Sequence, residues 1–221
     1  NPNAHYVDGP VLESAHSSFV GMHKVPVVYG MTIGEYGKMI NGEKWLKNGI
    51  QCDLTVIPLE NYIHQTKYSL PIKPSPNLPN DKSINLYPSL CFFEGTNVSA
   101  GRGTAMQFQI YGSPFLEKST FSFTPQANEG AKYPKYKNKR CFGEDLRTAR
   151  NENKLNLSYL IKAYQQNTTK EFFNTFFTKL AGTEKLQKQL EKEVSEKEIR
   201  ASWKKDLEAF KEVRNKYLIY K

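Results

Sequence analysis

The sequence predicts an α+β fold: a mixed sheet of short strands in its N-terminal part, followed by a helical C-terminal part. Three observations carry this reading. Short apolar runs broken by glycine and proline fill residues 1 to about 125. From about residue 156 onward, apolar residues recur at helical spacing. Two Ser/Thr-x-x-Glu capping boxes, Thr32 to Glu35 and Ser195 to Glu198, mark helix starts in both parts. Between them, residues 126–155 are rich in turns and lysine and carry no clear period. A chain of 221 residues suits one such domain with a helical extension.

The elements follow in order. Thr32 caps a helix that should end at the stop signal Asn41-Gly42. Leu54, Val56 and Pro58 alternate with other residues, which predicts a strand from Cys52. Pro71, Pro74, Pro76 and Pro79 then leave only an extended loop. The run Leu90-Cys91-Phe92-Phe93 reads as a buried strand ending at Glu94, and Phe108 to Tyr111 as a second. Asn156 is placed to cap a helix carrying Leu157, Leu160, Ile161 and Tyr164. Phe172, Phe173, Phe176, Phe177 and Leu180 form another stripe. Ile199, Trp203, Leu207, Phe210 and Arg214 share one face of the helix that Ser195 opens. Such stripes are core by the ordinary expectation.

Composition narrows the function. At 38% hydrophobic and 13% aromatic, with a net charge of +9, the chain can bury a core and is no disordered tail. No apolar run approaches the ~20 residues of a membrane span. The basic cluster Lys132, Lys135, Lys137, Lys139 and Arg140 interleaves with Tyr133 and Tyr136, a pattern that serves single-stranded nucleic acid elsewhere. No nucleic-acid fold signature accompanies it, so a solvated loop is expected and no nucleic-acid partner. Cys52, Cys91 and Cys141 have no metal spacing; Cys52 and Cys91 read as small buried residues of strands, and no disulfide is expected. His5, His16, His23 and His64 show no ligand spacing either, and no metal site is expected. Asn1-Pro2-Asn3 does not read as a native beginning, so a fragment or processed product is expected.

Phosphate-binding loops, nucleophile elbows and zinc-protease motifs are all missing. What stands out is the stretch from Lys73 to Phe115. Glu94 leaves an apolar run, and a glycine-punctuated turn bearing Asn97, Arg102 and Thr104 follows. Ser99-Ala100-Gly101-Arg102-Gly103-Thr104 suggests close packing or a bound polar ligand. An apolar wall favours the neutral acid that a proton donor needs, whereas Arg102 favours the carboxylate. The plain alternative is a structural Glu94–Arg102 pair that fixes the loop. Glu13, in another turn-rich context, is a second carboxylate, and glycosidases need two. Asn77 sits in the proline-stiffened loop, either as a sugar or peptide contact or bonded to its own backbone. Three N-glycosylation triplets, at Asn97, Asn156 and Asn167, are read as chance matches.

Five motifs in order carry a resemblance. They are Asp8-Gly9-Pro10-Val11-Leu12-Glu13, Gly30-Met31-Thr32-Ile33-Gly34-Glu35, Cys52-Asp53-Leu54-Thr55-Val56-Ile57-Pro58, Lys73-Pro74-Ser75-Pro76-Asn77-Leu78-Pro79, and Phe93-Glu94-Gly95-Thr96-Asn97 with Gly101-Arg102-Gly103-Thr104. Ser202-Trp203 and Tyr217-Leu218-Ile219-Tyr220 extend it to the end. Together they resemble the C-terminal half of the bacterial exo-β-N-acetylmuramidase family. The resemblance implies a two-domain, exported glycosidase of the periplasm or cell envelope. A Rossmann-like N-terminal half, absent from this chain, would pack on an α+β half formed by residues 1–221, with the active site between them. Such enzymes release N-acetylmuramic acid from the non-reducing end of peptidoglycan fragments. A principal catalytic glutamate belongs to the first half, which leaves open whether this chain alone turns over substrate. Here the resemblance implies Glu94 as the catalytic carboxylate, with Asn77, Asn97, Arg102, Thr104, Tyr29 and Glu13 toward the saccharide, and no metal or organic cofactor. Two departures stand out: Tyr29 replaces a histidine before Gly-Met-Thr, and Gln107 a proline before Phe108. A non-catalytic peptidoglycan- or muropeptide-binding module is the rival reading.

Overall fold

The computed structural model describes residues 4–220, so Asn1-Pro2-Asn3 lies outside the described residues. Its strands are short and fall into two antiparallel sheets. β1 (Asp8–Val11) pairs with β2 (Pro26–Val28), and β3 (Ile110–Ser113), β4 (Phe121–Phe123) and β5 (Cys141–Asp145) form a sheet of order β3-β5-β4. Around them stand α1 (Ile33–Gly42), α2 (Asp81–Leu90), α3 (Ser158–Gln165), α4 (Phe177–Ala181), α5 (Lys185–Glu191) and α6 (Glu196–Asn215). The fold is therefore α+β. The segment 126–155, which showed no period, contains the central strand β5.

Both capping boxes form. Thr32 Oγ1 accepts from Glu35 N–H while the Glu35 carboxylate accepts from Thr32 N–H at 2.7 Å. Ser195 and Glu198 repeat the arrangement at the start of α6. A third box, Asn80 with Ser83, opens α2. That third cap explains one departure from the sequence reading. Leu90-Cys91-Phe92-Phe93 is not a strand: it is the end of α2 running into a 3₁₀ turn, Cys91–Gly95. Pro88 withholds an N–H from the last turn of α2, where the helix tightens. Phe92 and Phe93 are fully buried, and each side chain contributes roughly 1.5–3 kcal/mol of burial free energy.

The segment from Cys52 is corrected as well. Residues 50–60 form no strand, and Cys52 is exposed rather than buried. Their alternation matches strand spacing, yet no neighbouring edge accepts the ladder. Asn41 holds the segment instead, its amide donating to Cys52 O at 2.9 Å and accepting from Cys52 N–H at 2.8 Å. The proline-rich stretch that follows is irregular, as its composition dictates. At α3 the helix starts at Ser158 with Leu157, not Asn156, at the N-cap and no side-chain capping bond. The Asn156 side chain instead accepts from Ser158 N–H at 3.0 Å in a turn just ahead of the helix. Phe172 and Phe173 precede α4, whereas Phe177 lies within it.

The main core gathers α2, the 3₁₀ turn, β3 and the C-terminal helices around Phe92, Phe93, Tyr111, Phe177 and Trp203. A smaller core packs α1 on the end of α6 through Met31, Met39 and Phe210. Buried Asp8 ties β1 to residue 155 and to α6: its carboxylate accepts from Leu155 N–H at 2.8 Å and from Arg200 at 2.7 Å. Among the described residues, no helix is long and apolar enough to cross a membrane.

Candidate functional site

Helix α2 and the 3₁₀ turn deliver Glu94 to the surface directly after two buried phenylalanines, so a rigid core fixes the turn that bears it. The glycine loop brings the second charge. Gly101 and Gly103 have φ of +77° and +84°, conformations that favour glycine. A Cβ on Gly101 would stand 2.6 Å from Ile110 Cγ1, and one on Gly103 2.6 Å from Pro134 Cβ. These glycines serve close packing, and the tight loop turns Arg102 back so that its Nη1 donates to Glu94 Oε1 at 2.5 Å. Both side chains keep partial solvent exposure.

Glu94 borders two concavities. One, of about 400 Å³, is polar and cationic, lined by Glu94, Arg102, Ser99, Lys132, Tyr133 and Lys135. The other, of about 650 Å³, is a groove with aromatic walls that include His23, Tyr29, Tyr36, Tyr87 and Phe176. A carboxylate between a cationic pocket and an aromatic groove matches what an acidic sugar offers: an anionic substituent, a polar ring edge and an apolar ring face.

Electrostatics follow from burial. Tyr87 packs edge-on against Phe108 at 4.9 Å. Burial pushes its phenol up to about 12, with Cys91 and Glu94 adding to the effect and Arg102 opposing it. Tyr29 stacks on Tyr36 at 4.8 Å; burial raises both phenols, Tyr36 to about 12. His23 Nδ1 lies 3.0 Å from Tyr36 Oη, and its ring stacks on Trp45. Burial holds that imidazole below its ordinary value.

The remaining sequence candidates are spent on the scaffold to differing degrees. Asn97 Nδ2 lies within hydrogen-bond distance of Asn167 Oδ1, Thr169 Oγ1 and Glu171 O. Asn77 donates to Gly130 O at 2.8 Å, bracing the back of a residue that lines the cationic pocket. Thr104 Oγ1 donates to Gly101 O at 2.7 Å and accepts from Met106 N–H. Glu13 lies on another concavity, with Ser14, Ser17 and Asp206. The hydrogen bond from Lys185, at 2.7 Å, holds its carboxyl below the ordinary range.

Two residues of the site were not singled out in the sequence. Tyr87 lies in a stretch to which the sequence assigned no element, and the structure places it on α2. Lys135 was one lysine in a cluster, but it turns inward and donates to Phe93 O, Thr96 O and Val98 O. Tyr136, from the same cluster, donates to Asn97 O at 2.7 Å. The cluster is thus split between core-facing and exposed groups and makes no continuous stacking face.

Comparison with known proteins agrees with this architecture. The family model described as exo-β-N-acetylmuramidase NamZ, C-terminal, matches residues 85–220, and its N-terminal counterpart matches residues 1–82. The likeness therefore extends beyond the family's C-terminal region, and the two matches meet at the start of α2. The peptidoglycan β-N-acetylmuramidase NamZ of Bacillus subtilis (strain 168) is 33% identical over 248 residues, covering 100% of this chain. The crystal structure of a DUF1343 family protein from Bacteroides fragilis NCTC 9343 superposes with a TM-score of 0.96 at 50% identity, again covering 100% of the chain. A second DUF1343 structure from that organism, at 22% identity and a TM-score of 0.82, shares the fold. The chain spans 58% of the Bacillus relative and 64% of each solved structure. By sequence and by fold, the chain belongs to the exo-β-N-acetylmuramidase NamZ family.

Proposed function

We propose that this chain shapes the saccharide cleft of an exo-acting glycosidase that releases N-acetylmuramic acid from the non-reducing end of peptidoglycan fragments. The observation that carries the reading is the 2.5 Å contact between Arg102 and Glu94 at the junction of the cationic pocket and the aromatic groove. A guanidinium fork suits the lactyl carboxylate of muramic acid, and Lys132 and Lys135 add positive charge beside it. Tyr29, Tyr36 and Tyr87 supply faces for the ring. Held by Arg102, Glu94 suits a carboxylate that stabilises the oxocarbenium-like transition state better than one that donates a proton. Asn77, Asn97 and Thr104 would hold the loops that form the pocket. In this reading residues 1–221 work as one α+β unit. The rest of a two-domain, exported enzyme supplies a Rossmann-like part and a principal catalytic glutamate.

One observation favours a non-catalytic muropeptide-binding module instead: Glu94 is already engaged by Arg102, as in a fixed recognition pair. The substitution Glu94→Gln in the full-length protein separates the two. The enzyme reading expects kcat on a muramic-acid-terminated fragment to fall by roughly 10²–10³-fold, the scale of losing one transition-state electrostatic contact, with binding largely kept. Turnover unaffected by the substitution would remove Glu94 from the reaction. Binding of such fragments without turnover, by wild-type protein, would favour the module.

A further inference from the structure

The turn that carries Glu94 closes around an ammonium group. Lys135 Nζ stands 3.1 Å from Phe93 O, 2.5 Å from Thr96 O and 3.0 Å from Val98 O. Tyr136 Oη takes Asn97 O between them. Phe93 O also accepts from Thr96 N–H at 3.1 Å and from Thr96 Oγ1 at 3.0 Å within the turn, and the three carbonyls converge on one point. An ammonium has three hydrogens in a tripod, so one side chain satisfies three converging oxygens. It occupies the place a bound cation would take.

We propose that Lys135 is the positioning residue for Glu94, its protonated amine holding the 93–98 turn closed and thereby fixing where the carboxylate stands in the cleft. The proposal rests on Glu94 being the carboxylate of the saccharide cleft. It adds that the geometry of this acid is set by an amine from a different loop. Lys135 does not reach the sugar in this role; it acts through the turn.

Titratable and charged groups surround the amine. Glu94 and Arg102 face it from the turn and the glycine loop, and Lys132, Tyr133 and Tyr136 belong to its own segment. Burial pushes the amine down to about 8, with Glu94 opposing. Loss of its proton removes one of three N–H donors, releases one carbonyl and loosens the turn. Deprotonation should therefore register at the turn on the alkaline side of neutrality, below the pH at which an exposed lysine titrates. The amine stays buried meanwhile, since opening it to solvent would restore its proton.

The test is a pH titration of backbone amide resonances in this chain between pH 6.5 and 10, read at Glu94, Thr96, Asn97 and Val98. The expected result is one shared midpoint near 8. In a Cys52→Ser background, Lys135→Cys alkylated to thialysine keeps an amine of similar reach but greater acidity. The shared midpoint should then move to lower pH while the fold persists. Lys135→Met should abolish the shared titration. Amides that do not titrate together, or a midpoint indifferent to thialysine, would overturn the proposal. A parallel titration with N-acetylmuramic acid as probe separates the two ideas. Affinity that falls with the same midpoint supports both. No binding, with the amide titration intact, overturns the saccharide reading and leaves the positioning role standing.

Discussion

The Glu35 carboxylate accepts a hydrogen bond from Ile219 N–H at 2.8 Å, across 184 residues of sequence. The same carboxylate receives Tyr220 N–H, Thr32 N–H and the buried His64 Nε2. One acid thus caps α1, holds the 59–66 segment through His64 and anchors the segment that follows α6. Tyr220 Oη completes the clasp by accepting from Leu59 N–H at 2.7 Å. A carboxylate with no solvent exposure is tolerated because every face of it meets a donor.

Glu35→Gln should therefore destabilise the fold at neutral pH by about 1–3 kcal/mol, the cost of leaving buried donors without their carboxylate acceptor. Burial pushes the Glu35 carboxyl up, but the donors from Thr32, His64, Ile219 and Tyr220 outweigh it, so its value lies below the ordinary range. A depressed carboxyl contributes stability that is complete above the unfolded-state value and is lost as pH falls through the folded one. The gap between wild type and Glu35→Gln in urea unfolding should thus be full at pH 7 and shrink below the ordinary glutamate range. A gap that stays constant to pH 3 would show that the charge of Glu35 does not carry the clasp.

Gly101→Ala tests whether the glycine loop is built for close approach. The new Cβ would meet Ile110 Cγ1 at 2.6 Å and Met106 O at 2.8 Å, in a backbone conformation of φ +77°. Strain of this kind costs about 1–3 kcal/mol. Because the loop also carries Arg102, which the proposed function sets against the saccharide, muropeptide affinity should on that proposal fall together with the thermal midpoint. A variant with wild-type melting and weakened affinity would show that the loop bends without cost.

Much of this was legible in the sequence where local chemistry decides the outcome. Thr32 with Glu35, and Ser195 with Glu198, name their helix starts because each box satisfies its own backbone donors. Glu94 and Arg102 could be paired because only a few residues separate them around a glycine turn. The misread elements lack such local signals. Leu90 to Phe93 is apolar on every side, and a short run of that kind has no period to distinguish helix from strand. Cys52 to Pro58 has strand spacing but no partner edge, and pairing is a property of the whole fold. Lys135 was hidden for a related reason: its role depends on carbonyls about forty residues earlier that fold into its reach.

Asn97 offers the sharpest contrast between a motif and its placement, since it closes the Phe93–Asn97 motif yet faces the scaffold. Its Nδ2 has two hydrogens and three nearby acceptors: Asn167 Oδ1 at 2.9 Å, Thr169 Oγ1 at 3.1 Å and Glu171 O at 2.8 Å. Backbone bonds parallel it, with Asn97 N–H donating to Phe172 O at 2.7 Å. A sugar arriving at this amide would have to displace acceptors already served, whereas the segment 167–171 would lose its tether. Asn97→Ala should therefore lower stability by about 1–3 kcal/mol, the cost of leaving partly buried partners unsatisfied, as read by denaturant midpoint. Affinity for N-acetylmuramic acid, measured where the variant is still folded, should change by less than about threefold, under 0.7 kcal/mol. The opposite pattern, an unchanged midpoint with affinity lost tenfold or more, would make Asn97 a direct saccharide contact and require its amide to reorient on binding.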